Sequence, residues 1–279
     1  MDIIVCVKQV PDTTDVQIDS ATNNLVRDNI PSILNPYDEY AIELGLQIRD
    51  RFGGKVTAVS MGPGQAEKEL RRCLALGADE AYLLTDRRFG GSDTLATGYV
   101  LSEWISQRPY DLILCGAEAI DGCTGHVGPS IAANLDIPQF TSVIDFSVTA
   151  GDIHVRRSVG AYYEEYSASL PVLLCVNKSN IEFKNRPQTK KEVTRVHASG
   201  FDKERIGIDG SPTRVMEISV SGKSIKSFVE VDHTWGCEER IAYIISGGIK
   251  QNNNIKKLRD SSVNLAEYLI TNEVKEYIQ

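Results

Sequence analysis

Hydrophobic positions along the first 176 residues alternate between two patterns. Short, mostly apolar runs cover 3–7, 55–61, 80–85, 110–115 and 170–176. Runs of that length bounded by turn residues predict buried strands. Between them lie stretches with helical spacing. Tyr37, Ala41, Leu44 and Ile48 recur every three or four residues. The helix they predict starts at Asn35-Pro-Tyr-Asp-Glu39, with Asn35 as N-cap, Pro36 at the first helical position and acids in the first turn. Further helices are predicted over 65–76, closed by Gly77, over 93–107 and over 127–135. Two strand-like segments near 140–148 and 153–158 precede the last strand. Tyr162-Tyr163 and Glu164-Glu165 read as part of an ordinary strand pair and turn.

Strands alternating with helices of this length build βαβ units. The predicted fold is α/β: a Rossmann-like, mostly parallel sheet with helices on both faces over 1–180, followed by an extended C-terminal arm over 181–279. Residues 178–205 are polar and basic, with Lys184, Arg186, Lys190, Lys191, Arg195, Lys203 and Arg205. A turn at 210–215 leads to a short predicted strand over 216–220, and 237–249 and 263–278 have helical patterning. An extension so rich in loops is poorly suited to burying a core of its own, so it is read as wrapping a partner.

In a doubly wound sheet, ligands sit at the carboxyl ends of the strands. Four turns fall there: Lys8-Gln-Val-Pro-Asp12, Ser60-Met-Gly-Pro63, Gly90-Gly-Ser-Asp-Thr94 and Gly116 to Pro129. The last is glycine-rich and runs from a strand into a helix. Such a turn aims backbone N–H groups at one spot beside a helix dipole, which suits a phosphate. Its spacing matches neither GxxxxGK[ST] nor GxGxxG. Glycines also serve tight βα connections with no ligand at all. In the turn, Asp121, Gly122, Thr124, Gly125, His126, Val127 and Gly128 are the candidate contacts, with Thr124 adding a hydroxyl donor. Lys8 can balance phosphate charge. Asn35 or Asp38 can reach a ribose or an adenine. Ser92 or Asp93 caps a helix on which Thr94 and Thr97 share one face.

Composition narrows the classes. The formal net charge of -8 argues against a nucleic-acid partner. No apolar stretch reaches the roughly 20 residues that span a bilayer. Residues 2–8 read as a strand rather than a leader, so a cytoplasmic location is expected, although a mature organellar protein would read the same. The six cysteines, at 6, 73, 115, 123, 175 and 237, form no Cys-x-x-Cys pair, and neither a metal site nor a disulfide framework is expected. No nucleophile, base and acid fall at triad spacing, and no catalytic residue is assigned. A phosphate loop of the Ser-Gly-Gly-x-Asp-Ser kind, which an ATP-using enzyme on this fold would need, is not found.

Taken together, Val7-Lys-Gln-Val-Pro-Asp12, Asn35 to Glu43, Ala58 to Pro63, Ser92 to Thr97, Gly116 to Pro129, Ser169-Leu-Pro-Val172 and Gly210-Ser-Pro-Thr-Arg-Val215 resemble the β subunit of electron-transfer flavoproteins. That resemblance implies an adenine-nucleotide-binding α/β domain in an obligate heterodimer with an FAD-binding α subunit. It also implies a second nucleotide in this chain's cleft, held by Cys6, Lys8, Asn35, Asp38, Met61, Asp93, Thr94, Thr97 and the 121–128 turn. In ordinary members that nucleotide is AMP. In electron-bifurcating and nitrogen-fixation-linked members, which Ser92-Asp-Thr and the 121–129 turn resemble, it is a second FAD that takes a hydride from NADH. Redox partners implied are a flavin dehydrogenase, of acyl-CoA type in common members, and a ferredoxin. Two departures stand out. His126 replaces a usual glutamine, and Arg186-Pro-Gln-Thr-Lys-Lys191 has no leucine for the usual dehydrogenase-docking anchor.

Overall fold

The mostly apolar strands form the centre of one large sheet. The structure is a computed structural model that describes residues 1–12, 31–149, 151–160, 162–178, 181–187, 191–213, 234–236, 239–241 and 243. The chain divides into two compact units, Met1–Ser219 and Val220–Gln279. In the second unit, Glu239 to Ile241 are helical and the rings of Trp235 and Tyr243 meet edge to face at 5.1 Å. The predicted strand over 216–220, the predicted helix over 263–278 and most of 237–249 lie outside the described residues.

The first unit runs in order β1 (Asp2–Cys6), β2 (Gln9–Pro11), β3 (Ser32–Leu34), α1 (Pro36–Phe52), β4 (Lys55–Met61), α2 (Glu67–Leu76), β5 (Glu80–Leu84), α3 (Thr94–Ser106), β6 (Leu112–Gly116), α4 (Val127–Leu135), β7 (Gln139–Val148), β8 (Asp152–Val159), β9 (Tyr162–Ser169), β10 (Val172–Val176) and β11 (Thr194–Val196). Among the described residues the main sheet has the order β11-β5-β4-β1-β6-β10-β7-β8-β9. The pairs from β11 to β7 are parallel, and β8 and β9 add an antiparallel edge. The fold is therefore α/β with a mostly parallel sheet. Three elements escaped the hydrophobic pattern. β2 and β3 are short antiparallel partners, and β11 is a three-residue edge strand. Each is too short to show a period. Tyr162 to Glu165 belong wholly to β9, and the turn falls before them at Gly160.

Burial on both faces explains the mostly apolar runs. On β1, Ile3 and Val5 enter a core shared with Ala41 and Leu46 of α1 and Leu70 and Leu74 of α2. Ile4 and Cys6 enter a second core with Tyr99 and Trp104 of α3 and Ile131 of α4. Helices thus cover both faces. Gly45 lets α1 lie close to the sheet: a Cβ there would meet Val5 at 3.3 Å and Ile3 at 3.4 Å.

The basic segment after β10 folds back on its own chain. The Arg186 guanidinium reaches both Glu43 carboxylate oxygens at 2.7 and 2.9 Å and Asp50 at 2.7 Å. Arg195 binds Glu67 and Lys191 sits 3.4 Å from Glu80. Acids on α1, α2 and the start of β5, not visible as a patch in the sequence, take up these cations. Among the described residues, no helix is long and apolar enough to cross a membrane.

Candidate functional site

From β1 the chain builds outward through β4 to β5, then returns to place β6 on the other side of β1. At that reversal the connections leave on opposite faces and open a crevice at the strand ends. A cavity of about 770 Å³ lies there. Cys6 and Lys8 line it from the end of β1, Asn35 and Asp38 from the start of α1, and Met61 from β4. Asp93, Thr94 and Thr97 line it from the start of α3, and Gly122, Thr124, Gly125, His126, Val127 and Gly128 from the turn into α4. Asp121 stands outside the lining but holds the Lys8 ammonium through both carboxylate oxygens at 2.7 and 2.8 Å. Sequence reasoning missed Thr85, Asp86, Arg87 and Phe89, which follow β5 and also line the cavity. Their position at a strand end was the available signal, but no glycine pattern marked them.

The two helix termini that face this cavity differ. At α3, Asp93 is the N-cap: its Oδ1 accepts from the N–H groups of Leu95 at 2.9 Å and Ala96 at 3.1 Å. Its Oδ2 accepts from the N–H and hydroxyl of Thr213 at 3.2 and 2.8 Å. Partial burial works against its charge, and these donors outweigh that, so the carboxyl is held below its ordinary range. An ionised carboxylate thus closes the α3 terminus.

At α4 the N-cap position belongs to His126, which makes no capping bond, and the first turn carries no acid. Among the described residues, no protein acceptor meets the backbone N–H groups of Thr124 through Gly128. Unmet donors at a helix start, beside the positive end of its dipole, form a site for an anion. Gly125 turns the chain with φ 60°, a conformation glycine adopts without strain. Gly128 lets the helix start lie against the sheet, since a Cβ there would come within 2.3 Å of Cys175 Sγ.

Asn35 and Asp38 shape this turn from below. The helix-capping role expected for Asn35 is not taken up by its side chain. Instead Asn35 Nδ2 donates to the Glu118 carbonyl at 2.9 Å and to Asp38 Oδ1 at 3.0 Å, and its Oδ1 accepts from the Ile120 N–H at 3.3 Å. The turn after β6 takes up the amide, so that the side chain braces that turn rather than the start of α1. Asp38 accepts from the N–H groups of Lys8 at 2.7 Å and Gly116 at 3.2 Å, tying the ends of β1 and β6 together. Burial pushes its carboxyl up to about 7 against the pull of its donors Asn35, Lys8 and Gly116. Cys6, Cys115 and Cys175 stand in register on β1, β6 and β10, forming the cavity floor and the sheet behind it.

Comparison with known proteins gives a consistent result. Residues 22–200 match the electron transfer flavoprotein domain. The chain is 43% identical over 260 residues to an electron transfer flavoprotein subunit beta of Thermoanaerobacterium thermosaccharolyticum, covering 90% of this chain and 94% of the relative. It is 41% identical over 235 residues to protein FixA of Azotobacter vinelandii, covering 78% and 83%. It is 42% identical over 228 residues to the caffeyl-CoA reductase-Etf complex subunit CarD of Acetobacterium woodii, covering 77% and 86%.

Proposed function

Because this chain belongs to the electron transfer flavoprotein family, among its β subunits, we propose that its cleft holds FAD and that, paired with an α subunit, it passes electrons from NADH to two acceptors. The observation that carries the reading is the uncapped α4 terminus at the reversal point of the sheet. The fit is chemical as well as spatial. A diphosphate needs more donors than a monophosphate, and Thr124 through Gly128 offer a consecutive run of them. Lys8, held in place by Asp121, adds a cation at the same end. The cleft crosses the ends of β5, β4, β1 and β6. At an inter-strand spacing of ~4.8 Å that is about 14 Å, room for a dinucleotide laid along the sheet edge.

Bound there, a flavin supplies the hydride and single-electron chemistry. The chain's own residues do the holding. The α4 donors take the diphosphate, Asn35 and Asp38 keep the turn in shape, and Thr94 and Thr97 present hydroxyl groups from the opposite wall. The similarity to FixA and to an Etf-complex subunit supports the bifurcating branch, with a flavin dehydrogenase and a ferredoxin as redox partners. In the division proposed here, 1–180 carries the nucleotide and 181–279 is the extension that grips the α subunit, its first part braced on α1 and α2. The missing leucine after Arg186 argues that the dehydrogenase docks by other contacts.

The test is to purify the αβ complex, denature it with acid and identify the released nucleotides. Two FAD per heterodimer supports the reading. One FAD and one AMP would replace it with a structural AMP in this cleft.

A further inference from the structure

The wall of the cleft opposite α4 is built from two stretches of chain more than 100 residues apart. Asp93 is their junction. Its Oδ1 caps α3, its Oδ2 takes both donors of Thr213, and its own N–H donates to Ser211 Oγ at 2.8 Å. Ser211 is 3% exposed, and its hydroxyl also reaches the carbonyls of Gly207 at 2.6 Å and Gly91 at 3.3 Å. The Gly207 N–H donates to Ser92 Oγ at 3.1 Å. The stretches meet so closely that a Cβ at Gly91 would lie 2.5 Å from Ile208, and one at Gly207 2.2 Å from the Arg88 carbonyl oxygen. Phe89, in the cleft wall, meets Phe201 edge to face at 5.5 Å.

We propose that Ser211 and Thr213 are positioning residues for the nucleotide: acting through Asp93, they set the wall that carries Thr94 and Thr97. The inference rests on the nucleotide-holding reading above. Its physical basis is twofold. A wall made of a glycine-rich loop, Gly90-Gly91-Ser92, has little stiffness of its own, and the 201–213 segment supplies it. A carboxylate on the wall of a phosphate-binding cleft also repels its ligand. Thr213 satisfies the oxygen that the helix does not use and keeps that charge paired within the wall.

The experiment measures the affinity of the stripped αβ complex for FAD, or for AMP if that is what the wild type releases. Thr213→Val removes the exposed hydroxyl donor without a change of size. It is expected to weaken binding about tenfold, the effect of losing one hydrogen bond to a charged group. Thr213→Ser should restore it. Ser211→Ala should weaken binding at least as much. Asp93→Asn combined with Thr213→Val should bind no worse than Asp93→Asn alone, because the two act through one contact. Arg156→Ala, on the distant β8–β9 hairpin, should leave affinity unchanged. If the wild type is loaded and Thr213→Val and Ser211→Ala lower only the melting temperature, this inference fails while the nucleotide site stands. A wild type that binds no adenine nucleotide overturns both.

Discussion

Replacing Gly128 by alanine tests how the helix start is positioned. The added Cβ would lie 2.3 Å from Cys175 Sγ and 3.3 Å from Leu173 Cδ2, with Cys115 Cβ at 3.6 Å. Ordinary non-bonded contact is ~3.5–4.0 Å, so the first turn of α4 must retreat by more than about 1 Å. Overpacking of this kind costs about 1–3 kcal/mol. For a unit of this size each kcal/mol lowers the melting temperature by about 2–4 °C, giving a fall of about 2–12 °C. The same retreat carries donors out of range of a phosphate, since a bond of ~2.9 Å stretched by ~1 Å is no longer a bond. Losing one hydrogen bond to a charged group costs about 1.5–3 kcal/mol, or about ten- to a hundredfold in affinity. Calorimetry gives the first quantity and nucleotide titration of the stripped complex gives the second. The clash has a named partner, so Cys175→Ala in the same chain should relieve most of both effects. Wild-type affinity in Gly128→Ala, or additive losses in the double variant, would refute the argument that this glycine sets the cradle.

Gly125→Val places a branched side chain at φ 60° beside the cradle. About 1–2 kcal/mol of backbone strain and loss of the bound nucleotide on gel filtration are expected. Arg186→Ala strips the cation from Glu43, whose side chain is 3% exposed, and should cost about 3–5 kcal/mol in urea unfolding. Asp38 has a carboxyl raised to about 7 from an ordinary 3.8. Between those values the folded state holds a proton that the unfolded state has released, so stability falls as pH rises from about 4 to about 7. Melting temperatures across pH 5–8 should show that decline in the wild type and lose most of it in Asp38→Asn. Below pH 4 the trend reverses, as Asp86, Asp93, Glu67 and Glu80, all held below their ordinary range by their donors, take up protons.

The buried strands were legible because burial on both faces favours mostly apolar runs, and β4 lies at 55–61 as the pattern predicts. The candidate turns were legible because strand ends and glycines mark them. Side-chain roles were legible only where they are local, as in the Asp93 cap of α3. Asn35 has the residue type and position of an N-cap, yet its amide serves a turn more than 80 residues away. The cations after residue 178 fall in an extension read as wrapping a partner, yet Arg186 and Arg195 meet acids on α1 and α2 that no sequence spacing connects to them.

By itself the sequence determined the alternation of strands and helices, the family, and the turns that the fold brings to one crevice. Those depend on local periodicity, turn chemistry and the order of motifs. The sequence already offered Asp93 as a cap of α3; tertiary structure alone decided that its second oxygen is paired by Thr213 and that the start of α4 makes no capping bond. Both α3 and α4 follow a glycine-bearing turn and both face the cleft. Asp93 closes one, with Thr213 arriving from 120 positions along the chain to pair its second oxygen, while no acceptor among the described residues meets the donors of the other. A hydrogen bond depends on distance in space, and only the folded chain sets that distance.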